Sequence, residues 1–297
     1  MFTLGALTSV VGAQGFTTQD PVIRRLWALG TDSSEVGRLA QVLADSIGPR
    51  LNGTTGLDGA QRWMMQTYKA WGIPVRTEKY GTWRGWQRGA ASVELLEPRF
   101  RSLDARLMAW SPGTKRPTVG KVITLPEIAD SAAFHAWLPQ AAGKFVLVST
   151  PEMTCRTDAS LKQWSSPEGL ERFLKERKAY MDTWTVRTKR TGLSERQIAK
   201  ALEDAGVAGV LTSLWSEGWN VVKIHDAITE RVPSVSVSCE DYGLLARLAE
   251  KGQAPVLRLN AEATFRLAQL HRARLRISCC WMLNRLPIFA TLPRSAG

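Results

Sequence analysis

Hydrolysis or group transfer needs a nucleophile, an acid or base, or a metal ion, so the histidines and cysteines are the first residues to place. The three histidines stand in unrelated settings, His135-Ala136-Trp137, His225-Asp226-Ala227 and His271-Arg272-Ala273. None belongs to an H-E-x-x-H helix, and histidines scattered in this way read as surface or capping residues rather than metal ligands. The four cysteines are Cys155, Cys239, Cys279 and Cys280, without a C-x-x-C pair, and the adjacent two cannot supply a structural zinc site alone. They assign no compartment. Cys155 or Cys239 beside a histidine could form a thiol nucleophile, but the ordinary state of such a residue is buried and inert. There is no Walker A loop, no G-x-G-x-x-G after a strand and no G-x-S-x-G elbow. No catalytic residue and no metal ligand is therefore assigned in this chain.

Aromatic and basic residues interleave once, from Tyr80 to Gly89, where Trp83 and Trp86 alternate with Arg84 and Arg88. Such a run could stack bases and meet phosphates. Flanked by strands and without the signals of a nucleic-acid module, it reads instead as a turn whose aromatics pack and whose arginines are solvated. Nucleic acid is not expected as a partner.

The elements around these residues are legible from periodicity. Asp20-Pro21 opens a short helical segment through Ile23, Leu26, Trp27 and Leu29 to Gly30. A second helix carries Val36, Leu39, Val42, Leu43 and Ile47 on one face, with Asp32 and Glu35 placed as a capping pair and Gly48-Pro49 as its stop. A third runs through Leu57, Ala60, Gln61, Met64, Tyr68 and Trp71 to Gly72-Ile73-Pro74. Amphipathic helices of this length must cover a sheet, and Val75–Tyr80 and Ala90–Leu96 are the first strand-like runs. Beyond an irregular connection ending at Pro117, strands are expected at Val119–Leu125, Phe145–Ser149, Ala208–Thr212, Pro233–Ser238 and Pro255–Leu259. Helices are expected at Ser131–Leu138 and Glu240–Lys251, and after the capping box formed by Ser194 and Gln197.

The run IGPRLNGTTGLDGAQRWMMQTYKAWGI, continued by YGTWRGWQRGAASVELLEP, resembles the opening of the family-twenty-eight metallopeptidases, which are di-zinc exopeptidases. The segments EDAGVAGVLTS and VPSVSVSCEDYGLLARLAEKGQ resemble the protease-associated domain. The resemblance covers roughly Asp20 to Phe265. It implies an α/β fold, an incomplete zinc-exopeptidase domain interrupted by an inserted β-rich protease-associated domain. The implied division is 1–15 signal-like remnant, 16–110 front part of the peptidase domain, 111–259 inserted domain and 260–297 return strand plus basic tail. In relatives the resemblance implies two zinc ions, peptide substrates and a protein partner through the inserted domain. It would also put Arg50, Trp83, Arg84, Trp86 and Arg88 near a substrate cleft. Two-zinc chemistry needs His and carboxylate ligands, a bridging carboxylate and a general base, and the resemblance implies that family members supply them as a His-x-Asp motif, a bridging Asp, a Glu-Glu pair and a late His. This chain has neither His-x-Asp nor Glu-Glu. The expectation is a truncated member that is inactive as it stands, with a non-catalytic interaction module as the alternative.

With 297 residues, 44% of them hydrophobic, the chain can bury a sizeable core. Its net charge of +12 is unevenly spread, because the segment from Leu267 onward holds Arg272, Arg274, Arg276, Arg285 and Arg294 and no Asp, Glu or Lys. That tail does not resemble the family, which points to a frame change or truncation near Leu267, with a native basic tail for anionic partners as the alternative. The start, MFTLGALTSVVGAQG, is signal-like but lacks a basic leading region, so a secreted or periplasmic location is expected, or a cytoplasmic one if the signal does not function. No run is long enough to span a bilayer as a helix.

Overall fold

The computed structural model describes residues 18–218 and 226–275, which fall into two compact units. One comprises the chain up to Trp83 together with the chain from Ala268 onward, and the other is Arg84–Leu267. The N-terminal signal-like stretch and the tail beyond Leu275 lie outside the described residues.

The first unit is helical in its leading part. Helix α1 (Pro21–Thr31) starts where the Asp20 carboxylate accepts from the Val22 and Ile23 amides at 2.8 and 3.2 Å, with Pro21 at the first helical position. Helix α2 (Val36–Gln41) runs on into a π-helical turn, Val42–Ile47, that ends at Gly48 with φ of 73°. Helix α3 (Thr55–Ala70) is capped by Thr54, whose hydroxyl oxygen accepts from the Leu57 amide at 3.3 Å. The Asp32–Glu35 capping pair does not form. Asp32 instead closes α1 through its amide on Ala28, and Glu35 turns outward to pair with Arg38. Helices α1 and α2 contain no buried residue and α3 only Ala60, while Leu26 and Val36 remain 52% and 69% exposed.

The second unit is α/β. Strand β1 (Val75–Glu97) leads into it, followed by β2 (Arg101–Ser102), β3 (Ala105–Leu107), β4 (Thr118–Thr124), α4 (Ser131–Trp137) and β5 (Phe145–Leu147). Then come α5 (Asp158–Trp164), α6 (Pro167–Arg190), α7 (Glu195–Asp204), β6 (Gly209–Thr212), β7 (Ser234–Val237), α8 (Cys239–Glu250) and β8 (Val256–Leu275). The sheet order is β2-β1-β8-β4-β5-β6-β7-β3. Strands β4, β5, β6 and β7 are mutually parallel, flanked by β8 antiparallel to β4 and β3 antiparallel to β7.

Two strands are longer than the sequence suggests. Tyr80–Gly89 is not a turn but the middle of β1, and Val256–Leu275 is one strand rather than two. Gly89 has a packing role: a Cβ there would fall 2.6 Å from the Glu262 Cβ of neighbouring β8. The central strands are short and apolar because both their faces are covered. Val146 and Val210 join Leu125, Phe134, Trp184 and Leu202 in one core beneath α4, α6 and α7, and Phe145 and Leu147 point to the opposite face by strand alternation. Helix α6 begins with Ser166 accepting from the Gly169 amide and ends in Arg187, Lys189 and Arg190, charges that suit its carbonyl end. The α7 capping box forms as read, with the Ser194 amide donating to Gln197 at 2.9 Å.

Candidate functional site

Parallel strands end together, and ligands of open α/β sheets bind at that carboxyl edge. Here the edge opens into a cavity of about 510 Å³. Leu125 enters it from the end of β4, Val148, Ser149 and Thr150 from the end of β5, and Ser213, Leu214 and Trp215 from the end of β6. The opposite wall comes from the last turn of α6 with Thr188 and Lys189, and from Glu195 and Ile198 on α7. Leu193 and Ile228 add apolar surface, and Glu152 adds a carboxylate.

The strand-end segments are held from behind. The Val148 amide donates to Leu211 at 3.1 Å and the Ser213 amide to the Ser149 hydroxyl at 3.2 Å, which ties the end of β5 to the end of β6. Tyr242 on α8 bonds both backbone groups of Ser149, and burial pushes its hydroxyl well above the usual tyrosine range. The Trp215 indole donates to the Gly218 carbonyl at 2.8 Å. Arg177 lies 3.6 Å from Glu152 and 3.2 Å from Asp158. Burial raises the Glu152 carboxyl above its ordinary range, against the lowering effect of Arg177 and with a further rise from Asp158.

Cys155 and Cys239 are joined by a disulfide, with Cα atoms 5.9 Å apart. This corrects the expectation of inert cysteines. The fold brings the segment after β5 against the start of α8, across a sequence separation of 84 that no local spacing rule detects.

The residues that the resemblance put near a substrate cleft lie on a helix end and a strand, not on a shared loop. In the first unit Arg50 donates to the Gly48 carbonyl at 2.5 Å and to the Leu43 carbonyl, closing the end of the π-helical turn. Trp83 is 53% exposed at the last position of that unit. In the second unit the buried Trp86 indole donates to the Ser111 carbonyl at 2.9 Å, and the Arg88 guanidinium lies 5.1 Å from the Trp86 ring. The Arg88 side chain donates to the Leu107 carbonyl, and burial, with a smaller contribution from Arg106, lowers its pKa. Arg84 stands over Phe265 at 5.5 Å, and its carbonyl accepts from the Trp110 indole. None of these five lines the cavity. The cavity residues carry no sequence motif, and the only signal that could have found them is the rule that ligands meet parallel strands at their carboxyl ends.

The described residues do not fit a di-zinc centre. Among them no three His, Cys, Asp or Glu side chains gather where they could hold a metal ion. His135 packs edge-on against Phe134 at 5.7 Å, the backbone carbonyl of His271 accepts from Gln61, and His225 lies outside the described residues. Among the described residues, no helix is long and apolar enough to cross a membrane.

No protein-family model matches the chain. Carboxypeptidase Q of Mus musculus is 23% identical over 223 residues, covering 75% of this chain and 41% of that protein. Carboxypeptidase Q of Homo sapiens is 24% identical over 232 residues, covering 76% and 41%. The chain thus spans about two fifths of the length of the curated relatives it matches. Among solved structures, the peptidase M28 precursor from Shewanella amazonensis SB2B aligns with a TM-score of 0.52 at 16% identity, over 86% of this chain and 54% of that one. At that identity the likeness concerns the fold.

Proposed function

We propose, for a chain that is M28-metallopeptidase-like in its sequence relationships and its α/β fold, that it is the front part of a zinc-dependent exopeptidase and carries none of that enzyme's metal chemistry. The observation that carries this reading is a mismatch within one sequence. A peptidase relationship runs through three quarters of the chain, yet its 297 residues contain neither the His-x-Asp nor the Glu-Glu that the family resemblance implies for a pair of bridged zinc ions. In this reading 16–110 is the front of the peptidase domain, 111–259 is the inserted protease-associated domain, and 260–297 is the return strand with its basic tail. The two segments that resemble the inserted domain fold as α7–β6 and β7–α8, which is consistent with that division. The inserted domain would meet peptide substrate or a protein partner. The Cys155–Cys239 disulfide supports an oxidising, secreted or periplasmic compartment.

The test is metal analysis of the purified chain after exposure to zinc, with aminoacyl and dipeptide reporters assayed in parallel. No stoichiometric zinc and no cleavage are expected. One or two tightly held zinc ions with turnover would overturn the reading. The gene offers a second check, since the nucleotides after the Phe265 codon, read in another frame, should encode a His-x-Asp motif followed by an acidic, Gly-rich loop.

A further inference from the structure

The turn that leads into α3 carries a signal that the fold itself does not use. Of the four asparagines in the chain, Asn52 alone has Ser or Thr two positions on, in Asn52-Gly53-Thr54. The others stand before Val221-Val222, Ala261-Glu262 and Arg285-Leu286. Asn-x-Thr marks the asparagine amide as an acceptor of oligosaccharide, and so large a group is tolerated only where the side chain faces solvent.

The first unit meets that condition. The Thr54 amide donates to the Leu51 carbonyl at 3.1 Å, which closes a turn over Asn52 and Gly53. Asn52 is exposed at its tip, while Gly53 and Thr54 are buried. The needs of the turn and the helix account for two of the three residues. Gly53 supplies a φ of 73°, a conformation that favours glycine. The Thr54 hydroxyl donates to the Leu51 carbonyl at 2.7 Å and accepts from the Leu57 amide, so it caps α3. Asn52 has no such duty. An asparagine kept for its turn chemistry bonds the backbone two residues on, but the Thr54 amide is taken by Leu51. The Asn52 carboxamide makes no hydrogen bond among the described residues, so a sugar on its nitrogen displaces no contact.

We propose that Asn52 is a glycosylation site, taking an N-linked oligosaccharide from a lipid-diphosphate-linked donor. The Asn52 Nδ2 forms a bond to the anomeric carbon and gives up one proton, while the sugar's bond to phosphate breaks and the lipid diphosphate leaves. The proposal rests on the secreted form of the compartment reading carried by the Cys155–Cys239 disulfide, since the donor lies in the secretory lumen.

The experiment is expression of the full chain behind a cleavable secretion signal in a eukaryotic cell line, with intact mass read before and after peptide N-glycosidase. Chain is taken from the lumen as well as the medium, because the sugar is added before folding is complete. One glycan per chain is expected, removed by the glycosidase and absent from Asn52→Gln. Thr54→Ser keeps the hydroxyl for both the acceptor signal and the α3 cap and should retain the glycan. The urea midpoint of the glycosylated chain should be no lower than that of Asn52→Gln. Chain without sugar, a glycan that persists in Asn52→Gln, or a midpoint lowered by the glycan overturns the proposal. The disulfide is scored on the same material under non-reducing conditions. A glycan without the disulfide counts against the compartment reading and leaves this proposal standing, and a disulfide without a glycan does the reverse.

Discussion

The Tyr242 hydroxyl closes a two-way bond with the backbone of Ser149, donating to its carbonyl at 2.8 Å and accepting from its amide at 2.8 Å. Tyr242 is fully buried on α8, and Ser149 is the second residue past β5, where neither of its backbone groups has another partner in the sheet among the described residues. Tyr242→Phe keeps the ring's packing and leaves the part-buried Ser149 amide and carbonyl without this partner. It should cost about 2 kcal/mol, read from the urea midpoint. An unchanged midpoint would show that water replaces the hydroxyl at no cost.

The same hydroxyl sets an alkaline limit. Burial, opposed by the Ser149 bonds, holds its pKa in the folded protein above the unfolded value of about 10. Above that value the unfolded chain gives up this proton while the folded one keeps it, so the folded state holds more protons and stability falls as pH rises. The contribution is intact below about pH 10 and is lost progressively above it. The slope of stability against pH between about 10 and 11 should be shallower in Tyr242→Phe than in the unaltered chain. Equal slopes would mean that the hydroxyl ionises alike in both states.

The Cys155–Cys239 disulfide closes a long loop, with a sequence separation of 84. Its removal by the paired substitution Cys155→Ala and Cys239→Ala should lower stability by about 4 kcal/mol, chiefly by freeing the unfolded chain. Thermal unfolding should then become insensitive to reductant, whereas the unaltered protein melts earlier in its presence. The paired substitution spares Cys279 and Cys280, which reductant alone would not separate from this effect.

How far the molecule could be read from its residues depends on the range of the signal. The cap of α1 at Asp20-Pro21, the capping box of α7 and the stop at Gly48 are local events and were legible at their positions. So were β5, β6 and β7, because strands buried on both faces appear as short apolar runs. Gly89 misled, since a glycine that lets a neighbouring strand approach looks like one that lets the chain turn. Asp32 and Glu35 misled for a related reason: the spacing of a capping box was present, but α1 had already claimed Asp32 as its end. The cavity was not legible, because Leu125, Ser149, Lys189, Glu195 and Trp215 converge from five separate segments. Only the strand order brings them together.

Glu203 shows how one carboxylate anchors the approach to β7. Its Oε1 accepts from the Glu230, Arg231 and Val232 amides at 2.8, 2.5 and 3.1 Å, and its side chain is 6% exposed. Three consecutive amides aimed at one oxygen form an anion-holding turn, which fixes the chain just before Pro233 enters the sheet. Glu203→Ala leaves all three donors without their acceptor and should cost about 2–3 kcal/mol, with faster hydrogen exchange at those amides. Glu203→Gln retains a neutral oxygen acceptor and should lose about half as much, the difference between a charge-assisted bond and a neutral one. The neighbouring Asp204 pairs with Arg231 and Lys200 at the surface, so Asp204→Ala should leave the midpoint and the three amides unaltered. Equal losses in Glu203→Ala and Asp204→Ala would mean that general charge on α7, not the three-amide grip, holds this turn.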